Sequence, residues 1–311
     1  MLPAGGTKNR DDEIVLDGRS LTIESTVEVA RFKRKVSISP EAMNNVDRAR
    51  QLVEDAIAAG RTIYGINTGF GDMCRTKISH ENIKHLQENL LLSHAVGVGD
   101  PFPEEIVRGI LLLRANALLR GNSGCRPVVI QKLVDMLNKN VVPVIPCKGS
   151  VGASGDLAPL AHASLVLIGR GEAFFDGVRM PGADALKKAG IEPLILDAKE
   201  GLALISGTQA MLSAASLALN DAFSLYYHAL LAVAMAHEAL LGTMSSMDAE
   251  IHHARNQKGQ IEAAKGIREI CKGSEIIDSH KNCSRVQDAY SLRCSPQVLG
   301  ASLDAFNYVK E

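Results

Sequence analysis

The run Gly149-Ser150-Val151-Gly152-Ala153-Ser154-Gly155-Asp156 concentrates small and polar residues just before an apolar stretch. One reading is a glycine-rich turn that enters a helix and binds a phosphate at the helix N-terminus. It is not a P-loop, because no Gly-Lys-Ser/Thr follows, and Ser154 lacks the G-x-S-x-G spacing of a nucleophile elbow. Ala-Ser-Gly also permits a rarer chemistry. In a tight turn the Gly155 nitrogen can attack the Ala153 carbonyl and close a five-membered ring, which glycine tolerates because it has no Cβ. Loss of water from the ring and from the Ser154 side chain leaves an exocyclic alkene, a strong electrophile. Gly149 and Gly152 let the flanking backbone bend that far.

Three further stretches carry groups that could serve such an electrophile. Tyr64-Gly65-Ile66-Asn67-Thr68-Gly69-Phe70-Gly71 reads, taken alone, as a glycine loop with a packed tyrosine. Leu91-Leu92-Ser93-His94-Ala95-Val96-Gly97 places one histidine on an otherwise apolar helix, where a satisfied core residue is the ordinary outcome. In Arg285-Val286-Gln287-Asp288-Ala289-Tyr290-Ser291-Leu292-Arg293-Cys294, helical spacing predicts that Gln287, Tyr290 and Arg293 share one face.

Together these motifs, with the continuation Leu157-Ala158-Pro159-Leu160-Ala161-His162, closely resemble the aromatic amino acid ammonia-lyase and aminomutase family, from about Ile14 to the last residue. The resemblance implies that Ala153-Ser154-Gly155 matures to 4-methylidene-imidazol-5-one (MIO), with no external cofactor and no metal. It implies that Tyr64 is the base that removes the substrate β-proton, on a loop that closes over the site and excludes water. It places Arg293 as a bidentate clamp on the substrate carboxylate, with Gln287 and Tyr290 around the prosthetic group. At the specificity pair, phenylalanine lyases resemble Phe-Leu, tyrosine lyases His-Leu and histidine lyases Ser-His. Ser93-His94 therefore implies L-histidine as substrate, His94 recognising the imidazole, with urocanate and ammonia as products. The alternatives are a phenylalanine or tyrosine lyase, an aminomutase, or a truncated, non-catalytic pseudoenzyme.

One position departs from the family pattern. Ser206, in Leu204-Ile205-Ser206-Gly207-Thr208-Gln209, stands where asparagine is usual for substrate or ring contact, and serine has a shorter reach. Two other signals carry nothing. His237-Glu238-Ala239-Leu240-Leu241 lacks the second histidine of a zinc-protease helix, and the adjacent His252-His253 point different ways on a helix.

The elements that must position these groups are mostly helical. Ile14 to Arg31 reads as a strand, a turn at Asp17-Gly18 and a helix; Glu41 to Ala59 is a helix between Pro40 and Gly60. Helices follow over about Glu81 to Val96, Glu104 to Arg120, Pro127 to Lys139 and Leu157 to Leu167, with a hairpin around Asp176-Gly177. Leu202 to Met247 keeps helical periodicity without a proline and predicts one or two long bundle helices, with further helical tracts from near Gln257 and near Arg285. The resemblance implies a mainly α, L-aspartase/fumarase-like fold. Its MIO-bearing N-terminal domain would occupy residues 1–200, and the long-helix bundle domain would begin at 201–311. It also implies a homotetramer whose active sites draw on more than one subunit. The final helix stops without a C-cap glycine, so the family bundle is expected to continue beyond Glu311.

Composition excludes several other classes. Of 311 residues, 46% are hydrophobic and 22% charged, which is a globular balance. A formal net charge of −1 and the absence of Trp give no footing for nucleic acid. The N-terminus has no apolar segment of signal-peptide length, and the longest uninterrupted apolar run, Ala229 to Ala236, is far short of a bilayer span. Six cysteines without CxxC pairing predict reduced thiols and a cytoplasmic location, with no membrane partner.

Overall fold

The computed structural model describes residues 13–69, 78, 80–152, 155–281 and 283–311. Phe70, Gly71, Cys74, Ala153 and Ser154 lie outside the described residues. The described residues divide into two compact units, 13–217 and Ala218–Glu311.

The larger unit opens with β1 (Ile14–Leu16), α1 (Ile23–Ala30) and β2 (Val36–Ile38), and β1 pairs with β2 in parallel. Between β1 and α1 the Asp17 carboxylate accepts the backbone N–H groups of Arg19 and Ser20, which hold it below the usual carboxylate range. α2 (Pro40–Ala58) starts where sequence predicts: Ser39 caps it by accepting from the Ala42 N–H, and Pro40 fits the first turn. Then come α3 (His80–His94), β3 (Val98–Pro101), α4 (Glu104–Leu118), α5 (Pro127–Asn138), β4 (Val142–Pro143), β5 (Pro146–Lys148) and α6 (Leu157–Leu167). β6 (Glu172–Phe175) and β7 (Val178–Pro181) form the expected hairpin, with positive φ at both Asp176 and Gly177 as a tight two-residue turn requires. α7 (Gly182–Lys188), α8 (Glu200–Ile205) and the first turns of α9 (Gln209–Ala239) complete the unit. β3 pairs with β5, and β4-β6-β7 make a three-stranded antiparallel sheet. These small sheets beside long helices make the protein mainly α.

The core of this unit is built on α4, whose Val107, Ile110, Leu111, Leu112, Ala115 and Leu118 are all buried against α5, α6 and α1. Two charges inside it are satisfied by geometry. Arg108, 2% exposed, donates to the Val29 and Leu137 carbonyls and to Asn140 Oδ1. Glu200, fully buried, receives a two-toothed grip from Arg126 at 2.7 Å on each oxygen and accepts the Arg126 and Asp197 N–H groups. Removing one partner of such a pair typically costs ~3–5 kcal/mol, because the other charge is stranded in a low dielectric. This pair fixes the start of α8.

The Leu202 to Met247 run departs from expectation. It is interrupted at Ser206-Gly207-Thr208, where Ser206 turns to an extended ψ of 101°, so a short α8 precedes one long α9. The cause is tertiary: the Ser206 carbonyl accepts from Arg114 of α4 instead of continuing a helical ladder. The stretch Glu200–Ala239 contains an 18-residue window of mean hydropathy 1.5. That is apolar enough to cross a bilayer by composition, but half of the window is buried within the protein, as in a core helix.

In the smaller unit the rest of α9 is followed by a 3-10 turn at Met244–Met247, α10 (Ala249–Arg255), α11 (Lys258–Ile270), α12 (Glu275–Ser279), α13 (Tyr290–Arg293) and α14 (Ser295–Lys310). α11 and α14 cross so closely that a Cβ on Gly259 would overlap the Gly300 carbonyl. Tyr226, Leu230, Ala263, Ile267 and Leu303 form the core. The sequence predicts a helix through Arg285, yet residues 283–289 are non-helical. Arg285 donates to the Leu240 and Leu241 carbonyls at the end of α9, and the buried Asp288 carboxylate accepts the Thr243 N–H at 2.6 Å. Those bonds stretch the segment across the helix end and outweigh its local helical preference. His252 is buried, bonded to Ser246 and Gln260, while His253 is exposed, so the two do diverge.

Candidate active site

The loop that carries the tripeptide is closed by one carboxylate. Asp156 is completely buried and does not cap its own helix. Its Oδ1 accepts from Ser150 Oγ at 2.6 Å, and its Oδ2 accepts from the Met211 N–H at 2.8 Å, in the first turn of α9. A negative group at that turn is also favoured by the helix dipole. The Asp156 N–H donates to the Gly207 carbonyl at 2.6 Å. Gly155 has φ of +96°, and a Cβ there would overlap the same Gly207 oxygen. Residues 150 and 156, which flank the tripeptide in sequence, are thus tied together, and glycine is obligatory at 155. This cradle fits a strained backbone ring of the kind the tripeptide chemistry demands.

Two neighbouring segments are fixed to that cradle. On one side is the Ser206-Gly207-Thr208 bend. The Ser206 side chain is exposed, while its carbonyl is held by Arg114 Nη1 at 2.7 Å. On the other side, a Cβ on Gly149 would come within 3.1 Å of Gly97 Cα, and the Gly97 N–H donates to His162 Nε2 of α6 at 3.0 Å. Three residues before Gly97, at the end of α3, His94 Nδ1 lies 2.9 Å from the Leu90 carbonyl and 3.1 Å from Ser93 Oγ. A proton on Nδ1 satisfies Leu90 and leaves the Nε2 lone pair as an acceptor.

His162 must stay neutral to accept from Gly97, and burial lowers its pKa below the ordinary 6.5. The unfolded chain therefore binds a proton that the folded chain resists, so this contribution is full above pH 6.5 and lost on acidification toward the lower folded value. The unfolding midpoint of the parent relative to His162→Gln should fall steadily as pH drops below 6.5. A difference that stays constant from neutrality to mild acid would contradict the assignment.

The Tyr64 turn folds on itself. Asn67 Oδ1 accepts the Ile63 N–H at 2.9 Å, Asn67 Nδ2 donates to the Arg61 carbonyl, and Gly65, with φ of +75°, packs on Leu202 of α8. The Tyr64 ring is half exposed. In the larger unit, then, α8 links the tyrosine turn to the bend that braces Gly155. Arg114 was not named from sequence, and Asp156, Gln209 and His162 were quoted there only as parts of motifs, with no role. The available signal was charge in an apolar setting: an arginine in the middle of α4 and an aspartate directly before α6.

The smaller unit holds a separate cluster. The Arg293 guanidinium lies 5.0 Å from the Tyr290 ring centre, and its Nε donates to the Asp288 carbonyl at 3.0 Å. Gln287, with its amide oxygen turned toward the guanidinium, accepts from Nη1 at 2.7 Å. The three predicted residues do come together, although only Tyr290 and Arg293 are helical. A planar cation braced by stacking and hydrogen bonds is preorganised to bind a carboxylate.

The family model for aromatic amino acid lyases matches residues 21–311. The chain belongs to the aromatic amino acid lyase family. Among members of this lyase family, it is 52% identical over 298 residues to a histidine ammonia-lyase of Geobacillus thermodenitrificans, covering 96% of this chain and 59% of that one. It is 50% identical to a histidine ammonia-lyase of Koribacter versatilis, covering 95% and 57%. Solved lyase-family structures share the fold. Histidine ammonia-lyase from Trypanosoma cruzi superposes with a TM-score of 0.87 at 36% identity, over 96% of this chain and 56% of that one. Ergothionase from Treponema denticola gives 0.89 at 35%, over 96% and 60%. The chain thus spans less than two thirds of the length of the lyases it matches.

Proposed function

We propose that this chain carries the electrophile-forming part of a histidine ammonia-lyase, which converts L-histidine to urocanate and ammonia. The observation that carries the proposal is the closed cradle: Asp156 ties Ser150 to α9, and Gly207 leaves room at 155 for glycine alone. Matured to MIO, Ala153-Ser154-Gly155 would supply an electrophilic carbon that captures the substrate amine, turning a poor leaving group into a workable one.

The chain's other residues then have distinct tasks. Tyr64, on its glycine turn, accepts the β-proton. Arg293 grips the carboxylate, supported by Gln287 and stacked with Tyr290. His94 offers Nε2 to the imidazole N–H of the substrate, a pairing a phenyl ring cannot make. Ser206 lies at the bend with its side chain exposed beside the cradle. Relatives named as histidine ammonia-lyases at 48–52% identity support the substrate assignment. The proposed assembly is a homotetramer whose sites draw on more than one copy, so the two clusters need not come from one chain.

The test is an intact mass and a substrate panel on the whole protein. A mass two waters below the sequence value, with L-histidine turned over far faster than L-phenylalanine or L-tyrosine, is expected. Preference for an aromatic carbocycle would move the protein to another branch of the family. A mass with no water lost would make it a pseudoenzyme.

A further inference from the structure

Arg114 is an expensive residue for α4 to bury. It is 5% exposed, and burial pushes its pKa down to about 10. No carboxylate pairs with it in a salt bridge among the described residues, and its Nε has no hydrogen-bond partner. Arg108, one helical face away, spends its donors on carbonyls and an asparagine that hold α1 and α5 in the core. Arg114 spends Nη1 on only two acceptors, the Ser206 carbonyl at 2.7 Å and Gln209 Oε1 at 3.0 Å. One lies at the end of α8 and the other at the start of α9, so a single nitrogen bridges the break between the helices. A cation at that point suits the negative C-terminal end of α8.

Between those two acceptors is Gly207. A Cβ on Gly207 would overlap both the Arg114 guanidinium and the Gln209 side chain, so the Gly207 backbone is seated directly on this pair. Its carbonyl receives the Asp156 N–H and fills the space a side chain on Gly155 would need. We infer that Arg114 is the positioning residue for the electrophile loop: it sets the Ser206-Gly207 bend, and the bend presses Gly155 and Asp156 into the geometry that ring closure requires. This inference rests on the lyase reading above for its chemical consequence but not for its structural one. It also explains how the site tolerates serine at 206, because the bond that matters there is to the main chain and is blind to the side chain.

The experiment compares Arg114→Met and Arg114→Lys with the parent in the full protein. The readouts are hydrogen exchange resolved to peptides, and intact mass. Methionine keeps the apolar length but no donor; lysine restores a cation and a donor. In R114M, amide exchange at Gly155 and Asp156 and in the segment 206–212 should rise ~10-fold or more, while α5 and the part of α6 from Leu160 onward keep parental protection. The fraction of molecules lacking two waters should fall, and R114K should recover part of both effects. Parental exchange at 206–212 in R114M, or a uniform rise across residues 8–217, would overturn the positioning role. Should R114M fail to fold, R114K is read alone by the same rule, local change supporting the role and uniform or no change refuting it. A parent that loses no water would sink the lyase reading, and the exchange arm would still decide Arg114.

Discussion

On the proposed lyase reading, replacing Ser154 with Ala is expected to leave a folded protein with the parental unfolding midpoint and to lower L-histidine turnover by ~10³-fold or more. The substitution removes one hydroxyl and no backbone freedom. The bonds that close the loop, Ser150 to Asp156 and Asp156 to Gly207 and Met211, involve neither the hydroxyl nor the Cβ of residue 154. What disappears is the oxygen that must leave for an alkene to form. The mass should then show no loss of the second water, and steady-state turnover should collapse in kcat rather than KM, since His94 and Arg293 remain. A Ser154→Ala protein with near-normal kcat would refute the electrophile mechanism outright.

Gly155→Ala should fail differently, losing stability as well as chemistry. Alanine at a φ of +96° costs roughly 1–2 kcal/mol in backbone strain. The new methyl group would also overlap the Gly207 carbonyl, which cannot retreat because Gly207 is backed by Arg114 and Gln209. Such overpacking typically adds about 1–3 kcal/mol. The expected result is a destabilisation of roughly 2–5 kcal/mol by denaturant titration, combined with full loss of the two-water mass shift. An unchanged midpoint in G155A would mean that the bend is softer than its contacts indicate. The two variants separate the roles of adjacent residues: Ser154 supplies atoms to the reaction, and Gly155 supplies a shape.

Much of this candidate site could be proposed before any coordinates, because its signals are local. α6 begins at Leu157 and ends at Leu167 as its apolar run does, and Asp176-Gly177 marks a hairpin that forms. The tripeptide, Tyr64, Ser93-His94 and the Gln287, Tyr290 and Arg293 set could be named because each lies in a contiguous motif. Where expectation and structure part, a distant partner has overruled a local preference. Residues 202–247 have helical periodicity throughout, yet Arg114, 92 positions from Ser206, takes a carbonyl out of the ladder. Arg285–Ala289 reads as helix, yet Asp288 is committed to Thr243, 45 positions away.

By itself, then, the amino-acid sequence determined which atoms the proposed reaction would use and most of the helices near them, since covalent chemistry, glycine flexibility and apolar periodicity are properties of neighbouring residues. The tertiary structure alone decided how the loop is braced. Arg114 is a single charged residue with no motif around it, and Asp156 stands at the end of the tripeptide motif with nothing local to show what it holds. Their role is defined by burial beside partners that the chain supplies from far away, Met211 for Asp156 at 55 residues and Ser206 and Gln209 for Arg114 at 92 and 95. A buried charge is stable only where such partners converge. That convergence is a property of packing, and here it shapes the turn in which the electrophile would form.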